Sequence, residues 1–493
     1  MAKHISIIGS GFAGLAASCF LAREGFEVEV FEALDGPGGR AGLWEADGFR
    51  FDMGPSWYWM PDIFERFFQQ FQHQPSDFYQ LIRLDPSYRI FWEDGFTDIP
   101  ADYEALAALF ESWEPGSSRA LQQYLKEAAW KYEVGMKKFA YKPGLSWMEF
   151  VDRDVWQALG KLDLLHSIHH HVARHFSHPR IRQIMEFPVL FLGALPQHTP
   201  ALYSLMNYAD IMLGTWYPMG GIYRVVEALY ALAQTCGVKF HFRTPVQHIR
   251  VKGKKAVGLV TANGEANADA VLATADYHHV EQQLLPAEVR QYRETYWQTR
   301  QLSPSCLLYY LGINRRVSGL LHHNLFFDAD FDRHAADIYT HPAWPMRPLF
   351  YVCAPSITDP GVAPPENENL FILIPIAAGL EGDDEPRREA YLQQVLNRIS
   401  YFTGTDLSSH ISYCKTFGPT DFVNRYHAYK GNAYGLANTL RQTAVLKPRM
   451  RSRQVENLFF AGQLTAPGPG MPPALISGEL AATLATNYLH KLL

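Results

Sequence analysis

At 493 residues the chain is too long for one simple core, so two or three interleaved domains are expected. Hydrophobic residues at 47% and charged residues at 19% suit a globular enzyme, and an aromatic share of 14% leans toward large apolar cavities. A formal net charge of −6 provides no basic footprint, which argues against a nucleic-acid partner.

In chain order, His4–Ile8 reads as a strand that starts too soon after Met1 for a signal peptide, so a cytoplasmic location is expected. Cys19, Cys236, Cys306, Cys353 and Cys414 lie far apart with no CxxC pair, the pattern of reduced thiols. Gly9-Ser10-Gly11-Phe12-Ala13-Gly14 then satisfies GxGxxG. A helix is predicted from Ala13 to about Glu24, and a second strand, Glu27–Phe31, ends in Glu32. Strand, glycine turn, helix and a closing acid together form the context that makes this motif a dinucleotide site. Gly9 permits the tight turn, Gly11 the approach of a pyrophosphate to backbone N–H groups, and Gly14 close helix–strand packing. Glu32 falls where a carboxylate accepts from ribose hydroxyls.

Further along, Pro61 to Phe71 carries an aromatic stripe at helical spacing, and a mixed, largely helical region is expected up to about Phe176. Strands follow at Val238–Phe242, Val246–Val251, Ala256–Thr261 and Ala268–Ala273. Hairpin turns at Lys252-Gly253 and Asn263-Gly264 join the last three into a small sheet. Ser305–Ile313 and Leu370–Ile376 read as strands, Pro386–Ile399 as a helix. Asn457–Ala461 is a last strand, followed by a Gly/Pro loop and a helix from Pro473 to about Leu489. Two charge-free stretches, Phe187–Ala209 and Leu458–Gly478, are broken by prolines and do not read as membrane spans.

Three further segments carry a resemblance. They are Gly36-Pro-Gly-Gly-Arg40 with Gly48-Phe-Arg-Phe-Asp52-Met-Gly54-Pro55; Asn457-Leu-Phe-Phe-Ala-Gly462-Gln463 running to Gly470-Met471-Pro472-Pro473; and Trp216-Tyr-Pro-Met-Gly-Gly-Ile-Tyr223. With Ala273-Thr-Ala-Asp276 and Tyr429-Lys-Gly-Asn-Ala-Tyr-Gly435, they resemble the flavin amine oxidase and carotenoid desaturase superfamily, most of all bacterial phytoene desaturases. The resemblance implies an α/β chain: a doubly wound Rossmann-like FAD-binding domain with an inserted α+β substrate domain. The FAD-binding domain would comprise 1–75, 215–290 and 450–493, and the substrate-binding and membrane-contacting domain 76–214 and 291–449. It implies FAD held by Gly9, Gly11, Phe12, Ala13, Gly14, Glu32, Gly39, Arg40, Gly54, Pro55, Val246, Gly462, Gln463, Gly470, Met471 and Pro472. Val246 would hold the adenine, and the last helix would point its N-terminus at the pyrimidine end of the flavin.

The implied activity is desaturation of phytoene, a C40 carotenoid, toward lycopene, at a membrane surface and with quinone or dioxygen as the final electron acceptor. Hydroxycarotenoid 3,4-desaturation, carotenoid isomerisation, an amine or protoporphyrinogen oxidase activity, and a non-enzymatic isoprenoid carrier are the alternatives. Taking two hydrogens from an allylic CH–CH pair requires a two-electron acceptor, for which a flavin is suited, and an apolar tunnel that excludes water. Leu190, Phe191, Leu195, Tyr203, Met206, Tyr208 and Trp216 are candidates for its wall. Asp52, Glu186, Asp210 and Asp276 are possible proton acceptors that read equally well as caps or anchors, so no catalytic base is assigned. His169-His170-His171 and His175 lack the acid of HExxH and read as a solvated or interfacial helix face rather than a metal site. Lys131, Lys137, Lys138, Phe139 and Tyr141 form a basic–aromatic group suited to anionic lipid.

Overall fold

A computed structural model describes residues 3–150, 166–190, 193, 195–439 and 441–491. Its first layer is a five-stranded parallel sheet, in the order Leu458–Phe460, Ala270–Ala273, His4–Ile8, Glu27–Phe31, Lys239–His241. Ile5, Ile7, Val28, Val30, Ala270 and Leu272 share one core with the flanking helices, while Ile8, Phe31, Val271 and Ala273 share another with Ile249, Ala256 and Leu259, so both faces are covered. Phe12–Arg23 is buried continuously from Phe12 to Leu21 and packs against the C-terminal helix Met471–His490 and against Tyr223–Thr235. The two ends of the chain thus close on one another.

Val246–Lys252, Lys255–Thr261 and Gly264–Asn267 form a small antiparallel sheet through the two expected hairpin turns. The sequence run Ala268–Ala273 was expected to belong to it. Instead Ala270–Ala273 joins the parallel sheet beside His4–Ile8, where all four of its residues are buried. A fully apolar tetrapeptide suits the covered central sheet, whereas the exposed Gly264–Asn267 suits a hairpin edge.

The third layer is a seven-stranded sheet in the order Ile411–Phe417, Ser305–Ile313, Glu368–Ile376, Phe350–Cys353, His323–Phe326, Tyr88–Trp92, Gly95–Ile99. All nine residues of Ser305–Ile313, one strand in from the sheet's edge, are buried. Its pairs are antiparallel except His323–Phe326 with Tyr88–Trp92, which are parallel. The hairpin Tyr88–Ile99 is a strand part of the mixed, largely helical region expected before Phe176. Helices do follow it, at Tyr103–Trp113 and Ser117–Val134, the first capped by the Asp102 carboxylate accepting from Ala105 N–H at 2.9 Å. Among the described residues no helix is long and apolar enough to cross a membrane.

Candidate active site

The carboxyl ends of the parallel strands open on a cavity of about 310 Å³, the edge at which open parallel sheets bind ligands. Gly9, Gly11, Phe12 and Ala13 form one wall, and Glu32 stands at the end of the second strand. The Ser10 N–H and hydroxyl each donate to Glu32 Oε2 at 2.8 Å, and Leu34 N–H donates to Oε1 at 2.9 Å. Gly11 begins the first helix without a side-chain cap, and no acid lies in the first turn, so its leading N–H groups face the cavity unneutralised.

Gly39, Arg40, Gly54 and Pro55 form a second wall, Val246 an outlying edge, and Gly462, Gln463, Gly470 and Met471 a third. Gly470 likewise starts its helix uncapped. Gly14 and Pro472, expected at the ligand, do not line the cavity. Gly14 acts through packing: a Cβ there would lie 2.1 Å from the Gly9 carbonyl oxygen. A Cβ on Gly54 would lie 2.4 Å from the Arg40 carbonyl oxygen, so the two glycine segments interlock.

Arg40 is a cation of the site, where Arg425 also lines the cavity. Its Nε has no hydrogen-bond partner, and its guanidinium lies 5.5 Å from the centre of the Tyr426 ring. Burial lowers its pKa, and the Asp276 carboxylate works against that shift. Burial in turn pushes the Asp276 carboxyl up, while Arg40 and the N–H groups of His279 and Tyr429 pull it back. Two uncapped helix starts, an unpartnered guanidinium nitrogen and a glycine cradle suit a long ligand with an anionic middle. A dinucleotide with a pyrophosphate centre has that chemistry, and the residues present fit FAD.

Residues 12–486 match the family of flavin containing amine oxidoreductases. Over 483 residues the chain is 45% identical to a carotenoid 3,4-desaturase of Haloarcula japonica, covering 97% of each. The chain belongs to the carotenoid desaturases of that flavin family. A zeta-carotene-forming phytoene desaturase of Myxococcus xanthus is 30% identical over 498 residues, covering 99% of this chain and 95% of that one. An oxidoreductase from Methanosarcina mazei shares the fold at a TM-score of 0.63 and 16% identity, covering 97% of this chain and 99% of that one. This desaturase is therefore an FAD-dependent oxidoreductase acting on carbon–carbon bonds.

Several residues of the desaturase cavity carried no sequence signal of their own. Cys306, Leu308 and Leu373 enter from the seven-stranded sheet, and Phe422, Arg425, Tyr426 and His427 from the region after it. The His427 ring stacks on His279 at 4.0 Å, and burial with the neighbouring imidazoles pushes His279 down to about 4. Asp276 and Tyr434 also line the cavity, and both lie in segments that carried the resemblance.

Of the four carboxylates considered as proton acceptors, only Asp276 reaches the cavity lining. Asp52 accepts from Ile222 N–H at 2.7 Å and Tyr223 N–H at 2.9 Å, with burial raising it to about 6. Glu186 pairs with His169 at 3.0 Å. Asp210 accepts from the Tyr88 hydroxyl at 2.9 Å and the Thr215 hydroxyl at 3.1 Å, and burial raises it to about 7. Each of these three holds neighbouring structure together.

Of the proposed tunnel residues, Tyr203, Met206, Tyr208 and Trp216 are half-buried against the main core, and neither they nor Leu195 line this cavity. Phe191 and the side chain of Leu190 lie outside the described residues. On the histidine helix, His171 is buried, 3.8 Å from Glu127, while His170 is exposed. Lys131 is corrected as a lipid contact, since it is buried and donates to the Ala201 carbonyl at 3.0 Å. Tyr141 lies under the Arg66 guanidinium at 3.7 Å and Phe139 packs beside Val134.

Proposed function

We propose that this chain desaturates an acyclic, already conjugated carotenoid near its end, as a 3,4-desaturase. The observation that carries the reading is the full-length 45% identity to the Haloarcula enzyme of that name. Desaturation of phytoene toward lycopene is the second reading, favoured by the Myxococcus relative at 30%. Bound FAD supplies a two-electron acceptor able to take hydride from a CH–CH pair.

The chain's own residues would do the rest. The uncapped N–H groups behind Gly11 and the Arg40 guanidinium hold the phosphates, and Val246 borders the adenine. Glu32 accepts three donors already, which leaves it acceptor capacity for a ribose hydroxyl. The start of the C-terminal helix behind Gly470 favours negative charge at the neighbouring end of the flavin. The split into a discontinuous FAD-binding domain and an inserted substrate-binding domain fits the parallel and seven-stranded sheets. Carotenoid partitions into bilayers, so substrate would be drawn from a membrane surface facing the cytoplasm, with quinone or dioxygen as the electron sink.

Expression in two carotenoid-producing hosts tests the choice, one accumulating phytoene and one a conjugated acyclic carotenoid. A red-shifted polyene spectrum only in the second supports 3,4-desaturation. New coloured product only in the first moves the assignment to phytoene.

A further inference from the structure

Away from the cavity, the seven-stranded sheet brings three metal-ligating side chains together. His323 opens one strand and Cys353 closes its antiparallel neighbour, and the two residues are directly opposed in register. Opposed residues project from the same face of a sheet. His322 precedes the first strand and is tied to the second through Ala354 N–H, which donates to the His322 carbonyl at 2.8 Å. One ring nitrogen of each histidine and the Cys353 sulfur lie within 4.8 Å of one another. All three residues are buried, at 4%, 0% and 4% exposure.

A second observation points to a ligand. Both imidazoles are held at Nδ1, His322 by the Thr358 hydroxyl at 2.9 Å and His323 by the Tyr351 hydroxyl at 2.6 Å. The Tyr351 hydroxyl also bonds Ser56 Oγ at 2.9 Å, so it can accept from His323 and donate onward. Both Nε2 atoms are buried without a partner, and in the tautomer that carries its proton on Nδ1 each presents a lone pair there. Two oriented imidazoles, each fixed through its other nitrogen, follow the outer-shell pattern of metal-binding histidines.

We propose that His322, His323 and Cys353 bind a d10 cation of the zinc and copper(I) class. Two imidazole nitrogens and a sulfur disfavour magnesium and calcium, which require oxygen donors. Three protein donors leave the fourth tetrahedral position to an exogenous ligand. On binding, the Cys353 S–H bond breaks, its proton passes to solvent, and the sulfur's electron pair forms the bond to the metal. No electron is transferred.

The cation would fix the aromatic wall next to the cavity. Trp57 stacks on His323 with ring centres 4.0 Å apart and planes at 10°, and Tyr217 packs on His322 at 4.5 Å. Trp57 follows Gly54 and Pro55, which line the cavity, so ligation of His323 would tie that segment to the sheet. A second candidate cluster, Glu127, His171 and His175, is weaker because the Lys131 ammonium already sits 3.5 Å from His171 Nε2. The proposal does not depend on which carotenoid the enzyme desaturates.

The test is metal analysis of the full-length holoenzyme, purified without an affinity tag of histidines and dialysed against metal-free buffer. Mass-spectrometric metal content should show near-stoichiometric zinc or copper, and its identity separates the two cations. Added Co2+ should give tetrahedral thiolate bands at wavelengths longer than oxidised flavin absorbs. Cys353→Ser and His323→Gln should each lose at least tenfold in metal affinity while flavin remains bound. Should a variant fail to fold, the wild type still decides: Zn2+ must raise its melting temperature and compete with a chelating dye. A wild-type holoenzyme that retains neither metal and gives neither response to added Zn2+ nor Co2+ overturns the proposal. Unchanged binding by folded Cys353→Ser and His323→Gln variants does the same.

Discussion

Glu32 Oε2 receives both the N–H and the hydroxyl of Ser10, each at 2.8 Å, so the acid that closes the second strand also braces the glycine turn. Turn shape and ribose binding thus rest on one carboxylate. Glu32→Ala should weaken FAD binding by roughly 1–3 kcal/mol, about 5- to 150-fold in Kd. Flavin fluorescence titration of refolded apoprotein checks this. Wild-type affinity in the variant would remove Glu32 from the site.

Arg40 combines an unpartnered Nε with a place on the cavity wall, in the segment that Gly38 bridges to Gly11 of the glycine turn. Arg40→Met should release FAD during gel filtration, and it leaves the buried Asp276 carboxylate without its countercharge. Arg40→Lys should retain more flavin than Arg40→Met but less than wild type, since a point charge replaces a planar fork. Equal flavin content in all three would place the phosphates elsewhere.

Gly14→Ala tests packing rather than contact with the ligand. Its Cβ would come 2.1 Å from the Gly9 carbonyl oxygen, a backbone atom that cannot rotate away. The first helix would have to shift from the strand, at a cost of about 1–3 kcal/mol. A lowered melting temperature with weakened flavin binding is expected; an unchanged melting temperature would contradict this packing.

Asp210 gives a pH signature. Its carboxyl rises from 3.8 to about 7 in the fold, chiefly by burial. Between those values the unfolded chain has released a proton that the folded chain keeps. Its contribution to stability is therefore fully present below about pH 4 and lost progressively toward pH 7, on the order of a few kcal/mol. Asp210→Asn lacks this slope, so its urea midpoint should gain on the wild type as pH rises across that window. Parallel pH profiles for the two proteins would rule out a proton held on Asp210.

Local chemistry was legible in the sequence, and partnering was not. His4–Ile8, Glu27–Phe31 and Ser305–Ile313 have the bounds that alternation, apolar runs and flanking glycines indicate. The glycine turn was legible because only glycine fits its close approaches, and Glu32 because its spacing is fixed by one helix and one strand. Which strands pair depends on contacts far apart in sequence. Tyr88–Trp92 lies beside His323–Phe326 across more than two hundred residues, and no local pattern encodes that choice. The same holds for Cys306, Tyr426 and His427, ordinary residues in sequence that the fold delivers to the cavity. Lys131 shows the converse: in sequence it reads as a surface cation, yet tertiary packing turns it onto the buried Ala201 carbonyl.

The most direct test of the central claim is an anaerobic single turnover. Flavin-loaded enzyme is mixed with liposomes carrying a conjugated acyclic carotenoid, and the visible spectrum is followed without any added electron acceptor. Loss of oxidised-flavin absorbance in step with a red-shifted polyene band is predicted, with readmitted quinone or dioxygen restoring the flavin. Flavin that stays oxidised with this carotenoid, and equally with phytoene in the same liposomes, would contradict desaturation by this chain.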